Sequence, residues 1–223
     1  MNESSASNIT LYGYWRSSAS YRVRMALNLK GIDYQQQPVH LVRDGGQQHA
    51  PAYRAINPQG QVPTLLHDGH QLIQSMAILE YLEERFPAPP LLPNQPAGRA
   101  RVRALANVIA CDTHPLNNLR VLKYLTGPMQ QDEAVKQSWY RHWMANGMDA
   151  FEQLLQSSDH TGQFCHGDQP TIADCCLLPQ VYNARRFDCD ESGWPEITRI
   201  AENLLAISEI QHAAPENQPD AQH

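Results

Sequence analysis

A small α/β domain followed by a larger all-helical one is the fold class this sequence predicts. Short β-like runs alternate with helical patterns only in the first third of the chain, and every periodic stretch beyond it repeats as a helix. Between the two lies Pro87-Ala-Pro-Pro-Leu-Leu-Pro-Asn-Gln-Pro96, with five prolines in ten residues. Proline fixes φ and removes a backbone donor, so regular structure cannot run through this segment and the domain boundary belongs there.

Ile9 to Tyr14 reads as the first strand, and Ser18 to Lys30 as a helix that stops at Gly31, a residue suited to a helix C-cap. Tyr34 to Leu41 is a second β-like run, Gln47 to Ile56 a second helical pattern, and Val62 to Leu66 and Gln71 to Ile73 two further strands before the helix Ser75 to Arg85. The order is a βαβ unit, a helix, then a ββα unit. After the prolines, Gly98 to Leu125, Asp132 to Gln156, Thr171 to Arg186 and Pro195 to Ile207 read as helices. The tail is polar and is expected to end as a loosely held extension. The expected organisation is a first domain over 1–86, a proline-rich linker over 87–97, a helical domain over 98–212 and a polar tail over 213–223.

With 223 residues, 42% of them hydrophobic, the chain has enough apolar side chains for a substantial core. Net charge is −6 and the basic residues are scattered, which excludes an extended nucleic-acid surface. An anionic ligand must therefore be met by a local basic pocket. The five cysteines are odd in number and form no CxxC pair, so reduced thiols in a cytoplasmic protein are expected. The ten histidines show no metal-ligand spacing. No apolar run precedes Ile9 and no later stretch has the length of a membrane span, so neither a secretion signal nor a membrane partner is expected.

Three stretches carry residue types suited to chemistry. Arg16-Ser-Ser-Ala-Ser-Tyr-Arg22 lies between the first strand and the first helix. Its serines can cap the unpaired N–H groups of the helix, and they can also aim hydroxyls at a ligand anion. In Asn57-Pro-Gln-Gly-Gln-Val-Pro63, proline opens a strand where it would cost a ladder bond unless that side faces a cleft, and the Val62-Pro63 bond is a candidate for the cis isomer. Gln74-Ser75 then precedes a helix whose N-terminal dipole attracts negative charge. Two helix N-termini and a proline-initiated strand can together grip a small peptide with carboxylates at its ends. In the helical half, Thr171-Ile-Ala-Asp174 has the spacing of a capping box, a structural role, and Cys175 and Cys176 fall in an apolar helix as core residues.

The stretches Tyr14-Trp-Arg-Ser-Ser-Ala-Ser-Tyr-Arg-Val-Arg24, Asn57 to Pro63, Gln74-Ser75 and Thr171 to Asp174 resemble the glutathione transferase superfamily. More narrowly they resemble its zeta class, the maleylacetoacetate isomerases. Asp44-Gly-Gly-Gln-Gln48, His114-Pro-Leu-Asn-Asn118 and Asn183-Ala-Arg-Arg-Phe187 extend the likeness, which runs from about Ile9 to Asp220. It implies a thioredoxin-like N-terminal domain, an all-helical C-terminal domain, glutathione as cofactor and a homodimer. It further implies cis to trans isomerisation of maleylacetoacetate to fumarylacetoacetate by thiolate addition, bond rotation and elimination. Maleylpyruvate isomerisation, conjugation or dehalogenation of electrophiles, and non-catalytic glutathione binding are the alternatives.

Residue by residue, the resemblance places Ser17 as the thiolate-stabilising serine with Ser18 beside it. It places Gln48, Val62, Gln74 and Ser75 on the glutathione backbone and its γ-glutamyl end. His114, Asn118 and Arg120 fall where the second domain closes over the thiol. Arg186, with Arg16, is placed on the carboxylates of a dicarboxylate substrate, which guanidinium forks suit. The zeta motif often reads Ser-Ser-Cys. Ala19 stands third here, which leaves glutathione itself as the nucleophile.

Overall fold

A computed structural model describes residues 8–222. They fall into two compact units, one holding the described residues up to Pro90 with those from Ala206 onward, the other Leu91–Leu205. The cut falls inside the proline-rich segment, where Phe86 to Gln95 has neither helix nor strand.

The first unit is built on four strands, β1 Ile9–Gly13, β2 Gln35–Pro38, β3 Thr64–His67 and β4 His70–Ile73, in the order β2-β1-β3-β4. β2 runs parallel to β1, with Leu11 opposite Gln36, and β3 runs antiparallel to β1, with Leu11 opposite Leu65. This is the expected thioredoxin-like arrangement. β2 stops at Pro38, short of the expected Leu41, after the Val39 N–H makes a last bond to the Gly13 carbonyl at 2.7 Å. The β3–β4 hairpin turns on Asp68-Gly69, both at positive φ, the chemistry a two-residue turn demands. Helices α1 Ser18–Leu29 and α3 Ser75–Arg85 pack together, burying Val23, Met25, Leu27, Ile78, Leu79 and Leu82, while α2 Pro51–Ile56 is short. Lys30, at the end of α1, donates to Glu83 of α3 at 2.7 Å and to the carbonyls of Phe86 and Pro89 at 2.8 and 2.9 Å. Three acceptors satisfy this buried ammonium.

The second unit is helical. The single helix expected over Gly98 to Leu125 is instead three pieces: α4 Pro96–Asn107, a π-helical turn at Val108–Thr113, and α5 Leu119–Thr126. Pro115 supplies no N–H to continue the ladder, and Asn118 restarts it as the N-cap of α5. α6 Glu133–Gln156 buries Tyr140, Met144, Met148, Phe151 and Leu155, spaced three or four apart as one helix face requires. α7 Ile172–Arg186 is almost wholly buried and starts at the expected capping box. There the Asp174 carboxylate accepts from the Thr171 N–H and O–H at 2.8 and 2.7 Å and from the Cys165 N–H at 2.9 Å. The N-terminus of α8 Pro195–Leu205 is met by buried Glu152, which accepts from the N–H groups of Glu196 and Ile197.

The tail departs from expectation. α9 Ser208–Ala213 packs on α1, a short 3-10 turn follows at Pro215–Asn217, and Pro215 and Gln218 are buried. Asp220 accepts from the Trp15 N–H at 3.0 Å and from Gln36 at 3.3 Å. Composition suggested a loose end over 213–223, but buried Ala213, Pro215 and Gln218 and the Asp220 carboxylate hold it in the first unit.

Candidate active site

The loop from β1 into α1 is fixed from both sides. Ser17 is the N-cap of α1, in extended backbone, and its Oγ accepts from the Ser20 N–H at 3.3 Å. That contact uses one lone pair and leaves the hydroxyl proton to be donated elsewhere. Ser18, the first residue of the helix, is buried, and Arg16 lies over the Trp15 ring at 5.1 Å. Beneath the loop, Arg24 is fully buried and spends all three nitrogens on carbonyls: Ala213 at 2.9 Å, Tyr14 at 3.4 Å and Trp15 at 2.9 Å. Burial lowers its pKa to about 10, so it remains a cation at neutral pH.

The turn that carries Val62 is similarly braced. The Val62-Pro63 bond is cis, as the sequence suggested, and the sheet register begins only at Thr64, so Val62 lies outside the ladder. Tyr53 donates to the Gln61 carbonyl at 2.6 Å and pairs with Thr64 Oγ1 at 3.0 Å, while Asn57 donates to the same two oxygens. Burial pushes the Tyr53 hydroxyl above the usual tyrosine range, keeping it a neutral donor. Gln74 stands at φ 70 and ψ 116, a backbone disfavoured for a residue with a Cβ, and its side-chain amide donates to Gln59 at 2.7 Å. Ser75, buried at the start of α3, accepts from Arg22 of α1 at 3.3 Å, which ties the two helices together. Gln48 is buried with its amide nitrogen near the Leu41 carbonyl and its Oε1 without a partner. An open groove of about 510 Å³ is lined by His40, Arg43, Gln47 and Asp220 among others and includes none of the serines.

In the second unit, His114 follows the π-helical turn and its Nε2 lies 3.4 Å from the Asn118 amide. Asn118 also caps α5 by accepting from the Arg120 N–H at 3.1 Å, leaving the Arg120 side chain exposed. Arg186 is exposed at the end of α7 with its guanidinium 5.0 Å from the Phe187 ring, which stacks on Tyr140 at 3.6 Å. Thus Ser17, Ser18, Gln48, Val62, Gln74, Ser75 and Arg16 belong to the first unit, and His114, Asn118, Arg120 and Arg186 to the second. The sequence reading missed Arg22, Arg24, Tyr53 and Asn57. The two arginines carried no local signal: only the fold buries α1 from Ser18 to Leu27 on nearly every side and leaves neither Arg22 nor Arg24 an exposed face. Among the described residues no cluster of His, Cys, Asp or Glu could hold a metal ion, and none of the five cysteines forms a disulfide.

A four-stranded thioredoxin-like unit followed by an all-helical one is the architecture of a glutathione transferase. The family described as "Glutathione S-transferase, N-terminal domain" matches residues 11–90. The chain is 49% identical over 215 residues to a probable maleylacetoacetate isomerase of Vibrio cholerae, covering 96% of this chain and 99% of that one. A solved maleyl pyruvate isomerase, described as a bacterial zeta-class glutathione S-transferase in its holo form, superposes with a TM-score of 0.93 at 45% identity, covering 96% of this chain and 100% of that one. The maleylacetoacetate isomerase of Methylobacterium extorquens, solved with bound malonate and glutathione, gives 0.92 at 43% identity, covering 96% and 100% of the two chains. The chain belongs to the maleylacetoacetate isomerase family, the zeta class of the glutathione transferases.

Proposed function

We propose that this chain is a glutathione-dependent cis-trans isomerase that converts maleylacetoacetate to fumarylacetoacetate, working as a cytoplasmic homodimer. The observation that carries the reading is Ser17: its Oγ caps α1 with a lone pair and keeps its proton to donate. The residues present fit glutathione. Arg22 and Gln48 hold buried polar atoms with no partner, and Ser75 and Gln74 stand at a helix N-terminus that receives no side-chain cap. When bound, glutathione supplies a sulfur nucleophile that is returned unchanged at the end of the turnover.

Ser17 donates to that sulfur, and with the N-terminus of α1 favours its anionic form over the few per cent expected of a free thiol with a pKa of about 8.5. Ser18 stands beside it. Val62 offers its backbone to the peptide, while Gln48, Gln74 and Ser75 hold its ends. His114, Asn118 and Arg120 are the second unit's contributions to glutathione. Arg186 and Arg16 bind the carboxylates of the substrate, and a nearby guanidinium stabilises negative charge that develops on the carbonyl oxygen.

The test is turnover of maleylacetoacetate by purified protein with and without glutathione, monitoring both the trans product and free thiol. Isomerisation that needs glutathione yet leaves its concentration constant is expected. Steady loss of thiol would make the protein a conjugating transferase. A second reading, maleylpyruvate isomerisation, draws support from the likeness to the solved maleyl pyruvate isomerase. It uses the same chemistry on a shorter acid, and side-by-side turnover of the two acids separates the readings.

A further inference from the structure

The first unit satisfies its buried cations with care, with one exception. Lys30 has three oxygen partners and Arg24 has three carbonyls. Arg22, two residues before Arg24 on the same helix, is only 2% exposed and makes a single hydrogen bond, from Nη1 to Ser75 Oγ at 3.3 Å. Its Nε and Nη2 are buried without partners, and among the described residues no carboxylate lies within ion-pairing distance of it. A guanidinium left uncompensated in this way is costly, and the cost is offset when an anion arrives. The place it points to suits one. Ser75 opens α3, an eleven-residue helix whose dipole favours negative charge at that end, and Gln74 supplies no side-chain cap. By donating to Ser75 Oγ, Arg22 occupies a lone pair of the hydroxyl and leaves its proton to be donated to a ligand.

We propose that Arg22 is a positioning residue that, through Ser75, makes the N-terminus of α3 selective for the free α-carboxylate of a γ-glutamyl group. The ligand class is therefore a γ-linked glutamyl peptide carrying that carboxylate, and an otherwise identical peptide without it is discriminated against. This rests on the reading of Ser75 as the γ-glutamyl end of the glutathione site. Arg22 acts at a distance from the sulfur, so its loss weakens binding more than it slows the reaction at saturating glutathione.

The experiment is calorimetric titration of the full chain with glutathione and with its decarboxylated analogue, γ-aminobutyryl-cysteinyl-glycine. The proteins compared are wild type, Ser75→Ala, Arg22→Met and Arg22→Lys. Wild type is expected to prefer glutathione by about 10-fold or more, the scale of one charge-assisted hydrogen bond, and Arg22→Met to lose most of that preference while Arg22→Lys keeps it. If Ser75→Ala loses the preference and Arg22→Met retains all of it, the role of Arg22 is overturned and the reading of Ser75 stands. If wild type binds both peptides equally, the reading of Ser75 falls and the proposal falls with it. Should Arg22→Met fail to fold, Arg22→Gln replaces it, with loss of the preference expected and full retention overturning the proposal.

Discussion

One oxygen of Ser17 caps α1 and, in the proposed mechanism, also serves the chemistry. Its lone pair caps α1 and its proton is left to donate, so Ser17→Ala removes both at once. The cap is worth about 1 kcal/mol of stability. The lost donor should lower isomerase turnover roughly 10²-fold while glutathione retention stays largely intact, which turnover beside an affinity-column assay measures. Unchanged turnover would remove Ser17 from the mechanism. Arg186→Ala should raise the substrate KM about 10-fold and leave the glutathione KM nearly unaltered, and equal loss of both would contradict the division of labour. At this scale the sequence placed Ser17 and Ser75 at helix starts, because serines before a helical run are legible. It could not tell capping from ligand binding, since both call for the same residue at the same position. Arg22 and Arg24 were harder still, because their importance lies in burial and in the bonds one makes and the other lacks.

Elements are joined by a few buried polar residues that bridge one to the next. Lys30 links the end of α1 to α3 and to the proline segment, and Lys30→Met would remove a buried cation from the Glu83 carboxylate and two carbonyls. Loss of about 3–5 kcal/mol in urea unfolding is expected, and a change under 1 kcal/mol would show the pair to be dispensable. Asp174 gives a pH-dependent case. Burial pushes its carboxyl above the usual aspartate range, although hydrogen bonds from Cys165 and Thr171 oppose the shift. A folded pKa above the unfolded one means that the native state favours the protonated form. The stabilisation is complete below the ordinary aspartate pKa and declines as pH rises through the raised value. The stability gap between wild type and Asp174→Asn should therefore be wider near pH 4 than near pH 7, and a gap that widens with pH would reverse the sign. Helix starts such as Thr171 to Asp174 were legible from side-chain chemistry. The break at Pro115 is masked in the sequence by helical patterns on both sides of it. The order of the tail is not legible in composition, which does not reveal that Asp220 finds the Trp15 amide.

Over the whole molecule, the alternation of strand and helix before the prolines and helix alone after them was sufficient to predict the architecture. Where the chain returns after Ala206 to join the first unit is a tertiary matter that no local pattern records. No helix among the described residues is long and apolar enough to cross a membrane. The net charge of −6 gives an anionic peptide no general attraction, so the proposed glutathione site depends on local groups, the buried Arg22 between α1 and α3 among them. The sulfur itself offers the most direct test. Titrating the thiolate absorbance of enzyme saturated with glutathione should give a pKa well below the free value of about 8.5, moving back toward it in Ser17→Ala. A bound thiol that titrates like free glutathione in the wild-type protein would contradict the account.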